Sequence, residues 1–178
     1  MLLDLPVLRP NIIDFEASGF GVNSYPIEVG VSLGTGQKYC ALIQPAHDWL
    51  YWDKDAEKIH GLCLDVVREQ GKPIITVAEE LNAFLEGKTV YSDGWVVDKP
   101  WLLRIFYQSG LTPSFFLSSL EYILKEPQME IWEETKQQVI ADLALARHRA
   151  STDAFIIQET YARTQQLLLD KTSQSVLI

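Results

Sequence analysis

Asp14 and Glu16 are one residue apart and follow a short apolar run, in the stretch Asn11-Ile12-Ile13-Asp14-Phe15-Glu16-Ala17-Ser18-Gly19. Residues i and i+2 of a β-strand face the same way. A strand here therefore aims both carboxylates at one spot while Ile12 and Ile13 are buried. Two like charges side by side are unfavourable unless one is protonated or a cation lies between them. The pair predicts a metal-ion site at or near a strand end.

Two further clusters hold residues suited to the same chemistry. Val97-Asp98-Lys99-Pro100-Trp101-Leu102 puts an acid at the start of an apolar-faced helix, with Asp98, Trp101, Leu102 and Ile105 spaced i, i+3, i+4 and i+7. His148-Arg149-Ala150-Ser151-Thr152-Asp153-Ala154 puts a histidine just before another helix and an acid in its first turn, with Ser151 as the cap. Histidine is the side chain best poised to take a proton near neutral pH. Acids at helix starts are also ordinary caps, favoured by the helix dipole. Their chemical reading rests on their occurring together.

The elements that must position these residues follow from the pattern along the chain. Strands are predicted at the opening stretch, over Ser24–Leu33 and over Lys38–Ile43, joined by short turns such as Gly34-Thr35-Gly36 into an antiparallel meander. Short helices are predicted over Asp55–His60, stopped by Gly61, and over Leu64–Gln70. Thr76–Leu85 carries helical spacing with Thr76 as its cap, and Thr89–Ser92 is a short strand. Lys99–Tyr107 is helical with Pro100 in its first turn, and Glu130–Arg147 and Thr152–Leu169 read as two longer helices. A strand meander followed by alternating helices and strands is an α/β or α+β pattern around a mixed sheet.

At 178 residues, 47% of them hydrophobic, the chain reads as one domain with a substantial core. The opening Met1-Leu2-Leu3-Asp4-Leu5-Pro6 lacks a basic region and is broken by Asp4 and Pro6, which argues against a signal peptide. No apolar run approaches membrane-spanning length, so a soluble, cytoplasmic protein is expected. Cys40 and Cys63 suggest neither a disulfide framework nor a zinc site, and each is expected to be a small buried hydrophobe. The net charge of −9 argues against nonspecific duplex binding, which draws on a basic face. Carboxylates gathered as ligands are neutralised by their metal, however, so an acidic chain of this kind can still engage a strand end.

Asp-x-Glu, then an acid in an apolar-Asp-x-x-aromatic-Leu frame, then His-x-x-x-x-Asp, in this order, resembles the DEDD superfamily of 3′→5′ exonucleases. The spacing of His148 and Asp153 is that of its DEDDh branch, which includes RNase T, oligoribonuclease and the proofreading subunit of bacterial DNA polymerase III. Ala56-Glu57-Lys58-Ile59-His60-Gly61-Leu62 also resembles an Ile-His-Gly segment common in the proofreading group, and the likeness spans about residues 11–165.

The resemblance implies an RNase H-like fold, a mixed sheet of antiparallel meander and parallel strands flanked by helices. It implies two Mg²⁺ or Mn²⁺ ions on Asp14, Glu16, Asp98 and Asp153, with His148 deprotonating the attacking water. The implied substrate is the 3′ end of single-stranded DNA or RNA, or a short oligonucleotide, released as 5′-mononucleotides. Among the relatives, RNase T and oligoribonuclease are dimers, which leaves a homodimer open as a partner arrangement. A non-catalytic nucleic-acid or protein-binding module on the same fold and an RNase H-type endonuclease stay open as rival functions.

The sequence departs from the family pattern at two places. Ala17 stands where many relatives have Thr, so a hydroxyl contact is missing or moved to Ser18. Ser92-Asp93-Gly94-Trp95 stands where relatives carry His-Asn, which makes Asp93 a rival to Asp98 as third ligand; Trp101 and Leu102 favour Asp98. Phe20, Trp95 and His60 join Ala17 and Ser18 as candidate substrate contacts, since exposed aromatics stack on bases. Arg147, Arg149 and Lys99 flank the motifs and are candidates for phosphate.

Overall fold

The computed structural model describes residues 7–175. Residues 1–6 and 176–178 lie outside them. Strands β1 (Ile12–Ala17), β2 (Pro26–Ser32) and β3 (Lys38–Leu42) form the expected antiparallel meander. β4 (Thr89–Ser92) pairs parallel with β1, and β5 (Phe116–Ser119) parallel with β4, giving the order β3-β2-β1-β4-β5. Sequence pattern alone does not mark β5, a four-residue edge strand of Phe-Leu-Ser-Ser without apolar alternation.

Among the described residues, seven α-helices accompany the sheet: α1 (Lys54–His60), α2 (Leu64–Gln70), α3 (Ile74–Leu85), α4 (Trp95–Ser109), α5 (Glu126–Glu130), α6 (Trp132–Leu143) and α7 (Ala150–Ser175). This is the mixed α/β, RNase H-like architecture. Gly61 ends α1 in the left-handed conformation, at φ 70°.

Several helix starts differ from the sequence expectation. α3 begins behind Pro73, so Thr76 lies inside its first turn and caps nothing. α4 begins at Trp95, four residues before the predicted start, and Pro100 falls in its second turn. Proline there has no N–H to give to the Val96 carbonyl. The span predicted as one helix over Glu130–Arg147 is divided between α5 and α6 and stops at Leu143, where Ala144 turns left-handed at φ 48°. That turn frees residues 145–149 to run back toward the sheet before α7. α7 in turn opens at Ala150, so Ser151 sits within the helix and does not cap it.

The two faces of the sheet have different neighbours, and strand alternation decides which side chains meet which. Ile13 and Phe15 of β1 and Ile27, Val29 and Val31 of β2 enter one apolar core with Val77, Leu81 and Leu85 of α3 and Leu102, Ile105 and Phe106 of α4. The alternate residues face α7. Ile12 packs with Ala154, Ile157 and Tyr161, and Ser32 Oγ donates to Gln158 Oε1 at 2.9 Å. Asp14 and Glu16 share that face with Ile12, as period two requires. Gly30 lies directly under the first turn of α7.

Both cysteines are exposed, contrary to the buried role expected of them. Cys40 lies on the α7-facing side of edge strand β3, its Sγ 3.6 Å from Glu28 Oε1, while Ala41 takes the core-facing position, and Cys63 precedes α2. No helix of the described residues is long and apolar enough to cross a membrane.

A Cβ at Gly30 would sit 2.2 Å from both Ala150 C and Ser151 N, and backbone on either side leaves it no room. Gly30→Ala is expected to lower unfolding stability by about 1–3 kcal/mol, read as a reduced denaturant midpoint at unchanged slope.

Candidate metal centre

Asp14, Glu16 and Asp153 present carboxylate oxygens within 4.8 Å of one another. β1 supplies the first two from its α7-facing side, and the first turn of α7 supplies the third. The cluster lies near the C-terminal end of β1. In open sheets, ligands bind at the carboxyl ends of parallel strands, where neighbouring connections diverge.

Asp98 arrives from the other side of the same strand end. The chain leaves β4 at Ser92, turns through Asp93-Gly94 and enters α4, burying Asp98 to 3% exposure. Ser92 Oγ donates a short hydrogen bond to Asp98 Oδ2. Asp98 is not part of the 4.8 Å cluster, but its charge raises the pKa of Asp14 more than that of any other residue. Asp93, the rival third ligand, is turned to α6 instead and accepts from Lys136 Nζ at 2.9 Å.

Burial and mutual repulsion dominate the electrostatics. Asp14 is held well above the ordinary carboxylate range, first by burial and then by Asp98, Asp93, Asp153 and Glu16. Burial, followed by Asp153 and Glu28, pushes Glu16 up to about 7. Asp98 is likewise raised to about 7 by burial and by Asp93, with the Ser92 hydrogen bond opposing. Carboxylates held this way at neutral pH call for positive charge between them. The donor set, all carboxylate oxygen and partly shielded from water, fits a hard divalent cation.

His148 stands in the 145–149 segment beside this cluster, exposed, with the left-handed φ of 62°. Its backbone N donates to Asp153 Oδ2 at 2.9 Å, and Arg147 Nε donates to Asp153 Oδ1 at 2.8 Å. Arg149 grips Glu28 of β2, with Nε 3.1 Å from both carboxylate oxygens and Nη2 2.5 Å from Oε1. Both arginines are thus bound to acids. Lys99 Nζ lies over the Trp95 ring, 4.7 Å from its centroid.

The remaining candidate contacts divide by environment. Ser18 is wholly buried, and its Oγ accepts from Tyr25 N at 3.1 Å. Ala17, Phe20 and His60 line a cavity of about 100 Å³ that Glu16 and Trp101 also border. Phe20 is 62% exposed. His60 is buried, and its Nδ1 accepts from Leu62 N at 3.0 Å, so the ring proton belongs on Nε2. That Nε2 has no partner among the described residues, and burial lowers the pKa of the ring. Trp95 is half-buried with its Nε1 also unpartnered, at a separate cavity shared with Asp93 and Tyr122.

Three connections escaped sequence reasoning: Ser92 to Asp98, Arg147 to Asp153, and Glu28 to Arg149. Only the last left a signal, a lone acid inside the apolar run Ile27-Glu28-Val29-Gly30-Val31.

Solved structures share this fold. E. coli exonuclease I in complex with a dA16 oligonucleotide matches with a TM-score of 0.64 and 14% identity, over 89% of this chain and 41% of that one. The same enzyme with a 5cy-dT13 oligonucleotide matches at 0.65 and 14%, over 96% and 46%. A zinc-bound E. coli exonuclease I–ssDNA complex matches at 0.64 and 15%, over 89% and 41%. The likeness is one of fold. The chain spans less than half the length of these proteins. No family model and no curated protein sequence matches it.

A carboxyl whose pKa is higher in the folded chain than in the unfolded one binds extra protons on folding, so stability falls as pH rises between the two values. For Glu16 and Asp98 that window runs from their ordinary values of 4.5 and 3.8 to about 7. The melting temperature of chelator-treated protein is therefore expected to fall from pH 4.5 to 7. Adding Mn²⁺ at pH 7.5, at about a hundred times its Kd, is expected to recover about 2.7 kcal/mol, which is roughly 5–10 °C for a chain of this size. A melting temperature unmoved by metal would remove the metal centre.

Proposed function

We propose that this protein is a metal-dependent 3′→5′ exonuclease of DEDDh type that acts on the 3′ ends of single-stranded nucleic acid and releases 5′-mononucleotides. The observation that carries the reading is the convergence of Asp14, Glu16 and Asp153, with Asp98 beside them, at one strand end of an exonuclease-type fold. Single-stranded DNA is the favoured substrate, because the solved neighbours hold dA and dT oligonucleotides.

Asp14, Glu16, Asp98 and Asp153 would hold two divalent ions, Mg²⁺ or Mn²⁺. When bound, such ions stabilise charge on the attacking and leaving oxygens of a phosphodiester. His148 takes the proton from the attacking water; a positioned base of this kind contributes about 10²–10⁴-fold. Water adds to phosphorus, the bond to the 3′ oxygen of the penultimate nucleotide breaks, and that oxygen leaves as the new 3′ end. The terminal nucleotide lies against the mouth of the cavity between Glu16 and His60, where Phe20 offers a stacking face.

A 3′-extended panel of DNA and RNA oligomers, labelled at the 5′ end, is expected to give a ladder shortening by single nucleotides in the presence of Mn²⁺ and none in chelator. Internal fragments would instead favour an RNase H-type endonuclease, and binding without cleavage a non-catalytic module. Asp98→Asn is expected to abolish turnover, while Asp93→Asn retains it; the reverse would reassign the third ligand. His148→Ala is expected to lose about 10²–10⁴-fold in kcat with Mn²⁺ affinity nearly unchanged, and full retained activity would refute the base role.

A further inference from the structure

Glu28 belongs to none of the motifs, yet it is a wholly buried acid directly across the strand pair from Glu16. A carboxylate there adds repulsion to a cluster already crowded with negative charge. Three of its donors come from the segment leading into α7, and Cys40 Sγ of β3 adds a weaker fourth, 3.6 Å from Oε1. Arg149 Nη2 and Nε approach its oxygens at 2.5 and 3.1 Å, and Ala150 N donates to Oε2 at 2.9 Å. One residue further along β2, on either side, lies apolar core; two residues along, Gly30 lets the backbone of Ala150 and Ser151 lie flat on the strand.

His148 immediately precedes this clamp. Its φ of 62° is a conformation that costs a non-glycine residue free energy and persists only where the surroundings enforce it. On one side its N–H is held by Asp153 Oδ2, and on the other the next two residues are held by Glu28. Both anchors are needed, because the preceding residues 144–146 lie outside any helix or strand.

We propose that Glu28 is a positioning residue: through Arg149 and the Ala150 amide it holds His148 in its left-handed conformation beside the acidic cluster. Its consequence for turnover rests on the exonuclease reading, whereas the clamp itself does not.

The test uses Glu28→Gln, which keeps the side-chain shape and an acceptor for Ala150 N but removes the charge that holds Arg149. Amide hydrogen exchange at His148 and Ala150, followed by NMR in the folded variant, is expected to speed up at least tenfold while exchange in β1 stays as in the unaltered chain. With oligonucleotide, kcat is expected to drop tenfold or more, with KM and the Mn²⁺ Kd changed less than threefold. Should Glu28→Gln fail to fold, Arg149→Lys keeps the charge and loses the fork; it is expected to show the same pattern at smaller size. Unchanged exchange at His148 in either folded variant overturns the clamp. So does a kcat loss explained by weakened Mn²⁺ binding, which would make Glu28 an electrostatic neighbour of the metal ligands only. Faster exchange in a chain that cleaves nothing upholds the clamp and sinks the exonuclease reading instead.

Discussion

Asp14, Glu16 and Asp153 crowd their carboxylate oxygens within 4.8 Å, with Asp98 close enough to raise Asp14 further. Holding that repulsion in place requires rigid backbone, and each acid sits on some. Asp14 and Glu16 are fixed by pairing with Gly30 and Glu28 of β2, and β1 is anchored on its other side where Ile12 pairs with Tyr91 of β4. Asp98 and Asp153 lie in first helical turns, where unpaired backbone N–H groups offset part of their charge. The sheet order follows from the same need. With β1 central, flanked by β2 and β4, the strand carrying two acids cannot fray, and the connection after β4 brings Asp98 to its end. Flexible loops would let the carboxylates swing into water and the cluster would disperse.

Positive charge near the cluster is dealt with sparingly. Arg147 binds Asp153, Arg149 binds Glu28, and Lys136 binds Asp93. Arg147 engages a member of the cluster and the other two cations lie at its margins, and none of the three bridges Asp14 and Glu16. Glu16 illustrates the balance: Asp153 and Glu28 raise its pKa, Arg149 lowers it, and burial still outweighs both. A structural arrangement would neutralise the pair with an internal arginine or lysine, as buried acids usually require. On the exonuclease reading, the bound ions meet that deficit.

Much of this was legible before the structure. The Asp-x-Glu spacing announced a shared face because strand geometry is strictly periodic, and the meander and α1 followed from turn glycines and β-branched runs. The starts of α3, α4 and α7 were not legible. Thr76, Asp98 and Ser151 all have the chemistry of a helix start, but tertiary packing begins each helix earlier, and one turn is short enough for packing to override capping preference. The left-handed residues Ala144 and His148 carry no local signal at all, since neither residue type favours that conformation over its alternatives strongly enough to mark it. β5 is silent for a related reason: an edge strand four residues long takes its conformation from its neighbour β4. The exposed cysteines show the reverse error, a compositional tendency that one edge strand and one loop do not obey.

With a net charge of −9, affinity for a polyanion cannot come from a basic surface. What the rim of the site offers is apolar: Phe20, Val22 and Val96 are 62%, 97% and 78% exposed around Trp101 and the cavity beside Glu16. On the exonuclease reading, stacking and the bound ions therefore share the work that arginines and lysines do in most nucleic-acid binders. The two contributions have opposite reach. Stacking acts only on unpaired bases within contact distance, and metal ions act only on the phosphate at the strand end. A duplex offers neither an unstacked base nor a free terminal phosphodiester at this depth, and the acidic surface repels its backbone. On the exonuclease reading, the same charge that weakens general binding would confine the site to frayed or single-stranded 3′ ends.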